Sequence, residues 1–206
     1  MRQFVSIVAA CAVIGLATPA AAQDTSRAEV TAGGRYYHVT LATIPSSIYI
    51  DRPNDFPEGW YADIAFNLSP KFAVVGDVGG TSFHDEDNRS SSNVTTRETL
   101  DVRIYTFMGG IRIRAPQRRA FVPFGQILFG AEHDSYTYNR TVQFLQNPPN
   151  VQDRESASSN PVLALESGVT IMAGPVGIRA TGGSVRFFKQ ANADAFRFSL
   201  GAGFRF

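Results

Sequence analysis

From residue 29 onward the chain alternates apolar and polar residues, broken at intervals by clusters of turn-forming residues. Alternation of that kind belongs to strands with one apolar face, and helical periodicity is absent. It predicts strands at approximately 29–42, 57–68, 71–82, 99–114, 120–134, 160–171, 175–187 and 195–206. The last is the cleanest: Phe196, Phe198, Leu200, Ala202, Phe204 and Phe206 share one face, opposite Arg197, Ser199, Gly201, Gly203 and Arg205. Strand two sets Trp60, Ala62, Ile64, Phe66 and Leu68 against Tyr61, Asp63, Ala65 and Asn67. Strand six sets Leu163, Leu165, Val169 and Ile171 against Ala164, Glu166, Gly168 and Thr170. Strand four breaks phase, because Val102 and Ile104 share parity with Arg112 and Arg114, and a β-bulge near Ile104 is expected to repair it.

The connections alternate in length. Short ones run Asn67-Leu68-Ser69-Pro70-Lys71, Ala115-Pro116-Gln117-Arg118-Arg119 and Met172-Ala173-Gly174-Pro175. Long ones, rich in Ser, Asn, Asp, Arg and Pro, are expected near 43–56, 83–98, 135–159 and 188–194. Successive connections of an up-and-down barrel lie at opposite ends, so the alternation puts every long loop on one side, as in outer-membrane barrels.

Alternation alone fits a soluble lipocalin-like barrel or a β-sandwich equally well. Three features favour a membrane barrel. The polar face is mainly Gly, Ala, Ser and Thr with isolated charges, and the chain has only two lysines. The apolar face continues to the chain terminus, where soluble strands tend to fray. A soluble barrel also has no reason for loop asymmetry. The fold class expected is therefore all-β, an eight-stranded antiparallel up-and-down transmembrane β-barrel. Its aromatic belts are expected at Trp60, Phe187 and Phe196 on the outer rim, and at Phe66, Phe72, Phe121 and Phe206 on the periplasmic rim.

The same registers place Arg35, Arg112, Arg179 and Arg197 in the lumen with Asp63, Asp77, Glu132 and Glu166. Buried charges are costly unless paired, and eight strands leave room only for side chains. The lumen is thus read as a structural charge network that plugs the barrel.

The first 22 residues read differently. Arg2 precedes an apolar run from Phe4 to Leu16, and Ala20-Ala21-Ala22 closes it, the order of a cleaved secretory signal. The expected organisation is a signal at 1–22, a short lead-in at 23–28 and the barrel domain at 29–206. The only cysteine, Cys11, lies within the signal; Val8-Ala9-Ala10-Cys11 has a faint lipoprotein look, but too few apolar residues precede it. Without it the mature chain lacks disulfides, thiol catalysis and thiolate metal sites. Removing Arg2 leaves 18 basic and 18 acidic residues, a balance that suggests no nucleic-acid partner.

Candidate chemistry is sparse. His38, His84 and His133 have no metal-ligand partner at useful spacing. Glu132-His133-Asp134 reads as a charged strand end rather than a proton-transfer site, and His84-Asp85-Glu86-Asp87-Asn88 as a solvated run rather than an ordered cation loop. The pairs Gly33-Gly34, Gly79-Gly80, Gly109-Gly110 and Gly182-Gly183 open no helix; they suit strand curvature or the passage of lumen side chains. No catalytic, cofactor or metal site is expected.

Gly59-Trp60, Tyr105-Thr106-Phe107-Met108-Gly109-Gly110, Val122-Pro123-Phe124-Gly125, Leu128-Phe129-Gly130 and the ending from Phe196 to Phe206 carry a resemblance. Over 29–206 the chain resembles the small OmpA-like and OmpX-like outer-membrane barrels, grouped broadly with porin-family proteins. The resemblance implies residence in the outer membrane of a Gram-negative bacterium, among lipids and lipopolysaccharide. It also implies insertion by the barrel-assembly machinery, with Phe198, Phe204 and Phe206 as the C-terminal signal. It does not extend to a peptidoglycan-binding domain. The role expected is non-enzymatic: envelope integrity, or surface interaction through loops 43–56, 83–98 and 135–159. The alternatives are a narrow pore for small solutes, and a lipid A-modifying enzyme with His38 or His133 as base. The histidine–serine motif of the lipid A deacylases is not seen.

Overall fold

The computed structural model describes residues 27–40, 55–91, 93–115, 120–144, 147–188 and 194–206. Eight strands follow in chain order: β1 (Ala28–Thr40), β2 (Asp55–Asn67), β3 (Phe72–Ser91), β4 (Val94–Arg114), β5 (Phe121–Phe144), β6 (Asn147–Ala173), β7 (Val176–Phe187) and β8 (Asp194–Arg205). Each pairs antiparallel with its sequence neighbour, and β8 returns to β1 from Glu29↔Arg205 to Thr40↔Asp194. Closure leaves no unpaired edge around the shared part of the wall, as a barrel in lipid requires. The proposed signal and lead-in lie largely outside the described residues, as do 41–54 and 189–193.

The wall is far from even in height. β1, β2, β7 and β8 run 12 or 13 residues, whereas β3 to β6 run 20 to 27. The described residues of 83–98 and 135–159, expected as loops, are almost wholly strand: β3 runs to Ser91 and β4 starts at Val94, while β5 runs to Phe144 and β6 starts at Asn147. Alternation is lost there because both faces of a sheet standing clear of the barrel meet solvent, so nothing selects an apolar side. The β-propensity of Thr95, Thr96, Thr137, Tyr138, Thr141 and Val142 remains and keeps the backbone extended.

Strand four needs no bulge. Its pairing is unbroken from Val94 to Ile113 with β3 and from Val94 to Arg114 with β5, and Ile104 faces inward with Thr106, Met108 and Arg112. The apparent change of phase reflects a lumen of two halves. Toward the short turns it holds the charges; toward the tall side it is packed with Tyr37, Phe56, Ile104, Met108, Leu128, Val162, Val185 and Phe187. Phe187 is therefore a lumen residue, 8% exposed, and not part of an outer belt. A bulge does occur in β2: Arg35 pairs with Gly59 but Tyr37 with Phe56, so one extra β2 residue turns Phe56 inward although Tyr61 and Asp63 have the opposite parity. Phe56 then meets Phe83 edge-on at 6.0 Å.

Outside, the wall is apolar. Phe66, Phe72, Phe107, Ile111, Phe121, Ile127, Phe129, Ile178 and Leu200 are each more than two-fifths exposed, and Phe206 stacks on Phe204 at 6.2 Å. Soluble monomers rarely expose a continuous apolar patch of more than a few hundred Å2. A girdle running right round the barrel is explained by hydrocarbon as its solvent. No helix among the described residues is long and apolar enough to cross a membrane; the strands do the crossing.

Candidate functional site

The lumen charges form one connected network. Asp63 on β2 accepts from Arg179 Nη1 at 2.8 Å and Arg112 Nη2 at 3.2 Å. Arg112 Nε donates to Gln126 Oε1 at 2.7 Å, and Gln126 passes a hydrogen bond on to Glu166. Glu166 is held by Arg197, whose Nη1 also stands 3.5 Å from Asp77. Asp77 takes both ends of the Arg35 fork, at 2.6 and 3.1 Å, while Arg35 Nε donates to Ser199 at 3.0 Å. Alternate residues of each strand face inward, so all eight strands can aim these groups at one axis.

Aromatic faces brace the cations. Arg35 lies 4.9 Å over the Tyr61 ring, and Phe124 lies beneath both Arg112 (4.8 Å) and Arg179 (5.2 Å). Guanidiniums are weakly hydrated and stack well, which suits them to this space better than lysine.

Three members escape the sequence reading. Glu29 is 2% exposed and lies against Arg112, Arg114, Arg179 and Arg205, the last at 3.1 Å. Arg114 and Arg205 share parity with Arg112 and Arg197, so their inward direction is legible in the sequence. Glu132 departs from the others in the opposite sense. It is inside and 7% exposed, yet has neither a salt bridge nor a hydrogen bond among the described residues.

The three histidines all point away from the lumen, each against a cross-strand partner. His38 Nδ1 and Asp55 are 2.7 Å apart, His84 Nδ1 and Asp101 2.7 Å, and His133 Nδ1 and the Ser159 hydroxyl 3.0 Å. Asp101 raises the His84 pKa above 6.5 through that hydrogen bond and its charge. Tyr36 also donates to Asp55, tying that carboxylate to two groups. These pairs decorate the outer surface, and no group of three metal-ligating side chains occurs among the described residues.

The second feature is the sheet that outgrows the barrel. β2 leaves β3 at Gly59↔Thr81, and β7 joins β6 only from Phe187↔Val162. Beyond those points β3, β4, β5 and β6 continue as a four-stranded sheet whose two outer edges, on β3 and β6, have no partner strand among the described residues. Its pairing includes the ion pairs Arg97–Glu86 at 2.9 Å and Arg140–Glu98 at 3.1 Å.

No protein family's sequence profile matches the chain, and no curated protein matches it by sequence. Solved structures do match in shape. The attachment invasion locus protein Ail of Yersinia pestis, in complex with the heparin analogue sucrose octasulfate, superposes with a TM-score of 0.55 at 18% identity, over 87% of this chain and 97% of that one. Neisserial surface protein A superposes with a TM-score of 0.51 at 13% identity, over 88% of this chain and 98% of that one. Identities this low establish architecture and leave role open: the chain has the fold of the small outer-membrane β-barrels of the OmpA-like and OmpX-like kind.

Proposed function

We propose that this protein is an integral outer-membrane barrel, exported behind a cleaved signal at 1–22, which presents a β-sheet to the cell exterior. It works as a surface-interaction element and contributes no enzymatic step. The observation carrying the reading is the four-stranded sheet standing beyond the apolar girdle, whose two outer edges have no partner strand among the described residues. Exposed edges are templates for pairing, which natural proteins normally shorten or cover. An extended segment of another protein can add to such an edge by backbone hydrogen bonds. Loops 83–98 and 135–159, first read as the interaction surface, act here as the strands of that sheet. Segments 82–103 and 134–160 hold eight carboxylates and five guanidiniums, so a protein partner fits better than a sulfated sugar of the kind bound by Ail.

Lipid and lipopolysaccharide surround the girdle, and the barrel-assembly machinery reads the strand bearing Phe198, Phe204 and Phe206. The pore reading has no support from a lumen whose charges, Glu132 apart, are paired across its width beneath an apolar layer. Fractionation and surface proteolysis test the proposal together. The protein should partition with outer membranes, show a heat-dependent shift in gel mobility, and lose the 84–91 or 147–159 region to protease on intact cells. Recovery as a soluble periplasmic protein overturns it. Steady single-channel conductance in planar bilayers overturns the plugged lumen.

A further inference from the structure

Among the described residues Glu132 is the one buried lumen carboxylate that makes no salt bridge. It lies on β5 opposite Thr106 of β4 and Asn160 of β6, all three inward and less than 10% exposed. The Thr106 hydroxyl oxygen is buried with no hydrogen-bond partner. One pleat farther out, Asp134 faces the same way, its Oδ1 accepting from Ser158 at 2.6 Å and from Asn160 Nδ2 at 3.3 Å. Asn160 donates its amide nitrogen to Asp134 and Ser158, so its carbonyl oxygen is the atom it can offer a cation. Arg197 is close enough for its charge to act on Glu132 but makes no salt bridge with it, being held by Glu166 and standing 3.5 Å from Asp77.

A buried carboxylate with no partner is costly, and the cost is removed by a bound cation, by a proton or by an ion pair. No ion pair reaches it from the described residues. We propose that Glu132, Asp134, Thr106 and Asn160 form a calcium site at the outer mouth of the lumen. The donors are all oxygens: two carboxylates to match a divalent charge, one hydroxyl and one amide carbonyl. Hard cations take such sets, and calcium accepts the irregular geometry that magnesium resists. A route for the ion exists, because exposure increases outward along the same face: Glu132 is buried, whereas Asp134, Tyr136 and Ser158 are partly exposed. Occupancy would tie β4, β5 and β6 together where they leave the barrel, and so stiffen the base of the protruding sheet.

The test uses the whole protein refolded in detergent at constant pH and ionic strength. Its thermal midpoint is followed as calcium is added, with terbium luminescence as a direct binding readout. Mass action requires the midpoint to climb with the logarithm of free calcium once the site is saturated. Glu132→Gln should abolish both responses while retaining the heat-dependent gel shift of a folded barrel, and Thr106→Val should weaken them. The double variant Asp85→Asn/Asp87→Asn, which alters an acidic run on β3, should respond as the parent does. A midpoint indifferent to calcium overturns the site. So does a Glu132→Gln barrel that still binds terbium, or one that is simply more stable at every calcium concentration, the behaviour of a group that holds only a proton.

Discussion

At Asp63 two guanidiniums converge on one carboxylate that is 4% exposed, a pairing whose worth differs sharply from the cost of breaking it. Taking the ions out of water consumes most of their mutual attraction, so an intact buried network adds modest stability. Removing one member leaves an uncompensated charge and costs roughly 3–5 kcal/mol. Asp63→Leu is therefore expected to destabilise the refolded barrel by about that amount in urea unfolding, because Arg179 would lose its carboxylate on β2. Adding Arg179→Met should recover much of the loss, since Arg112 keeps Gln126 at 2.7 Å and Glu29 at 3.6 Å. If the double variant is as unstable as the sum of its parts, the network is not coupled as described. Most of these residues were legible from parity alone. Glu29 was not, because the cations around it come from β4, β7 and β8 and meet it only in the folded barrel.

Among the strands, each of the four glycine pairs sends one member inward and one outward, with different consequences. A Cβ on Gly110 would run into the Ile127 carbonyl and lie 2.9 Å from Leu128 Cα, all rigid backbone of β5. Gly109, facing lipid, would place its Cβ 3.7 Å from the nearest atom, an ordinary contact. Gly110→Ala should thus cost about 1–3 kcal/mol as overpacking, and Gly109→Ala no more than about 0.5 kcal/mol. Equal effects in thermal unfolding would show that strand coiling at Gly110 is not what glycine serves. In the protruding part of β3 and β4, His84 and Asp101 form a solvent-exposed cross-strand pair. Because the folded-state pKa of His84 is raised, the pair's contribution is complete below about 6.5 and disappears as pH climbs through the raised value. NMR titration should show His84 shifted upward in the parent and returned toward its ordinary value by Asp101→Asn; an unmoved midpoint would remove the pair from consideration.

For the molecule as a whole, closure is the decisive step, and Phe206 stands at it. Its amide donates to the Ala28 carbonyl and its carbonyl accepts from the Ala28 amide, both at 3.0 Å, while its ring is 54% exposed on the lipid side. Burying such a ring in hydrocarbon is worth about 1.5–3 kcal/mol, which a barrel of eight strands can lose. An unclosed sheet edge has no partner in lipid, and under the proposed role of this strand as the insertion signal its loss is less forgiving in cells than in detergent. Deleting Phe206 is expected to lower the amount assembled in cells far more than the stability of barrels refolded in detergent. An equal fall in both would make the residue packing alone. What the sequence determined by itself follows from local rules: a period of two written eight times specifies eight strands, and the parity of each specifies which side chains share a face. Tertiary structure alone decided the rest. Neither the β2 bulge that turns Phe56 inward nor the apolar layer that explains Ile104 has a local signature, since an inward apolar residue and a lipid-facing one look identical in sequence. The tall sheet was hidden for the converse reason: strands wet on both faces carry no alternation, and only their pairing with one another distinguishes them from loops.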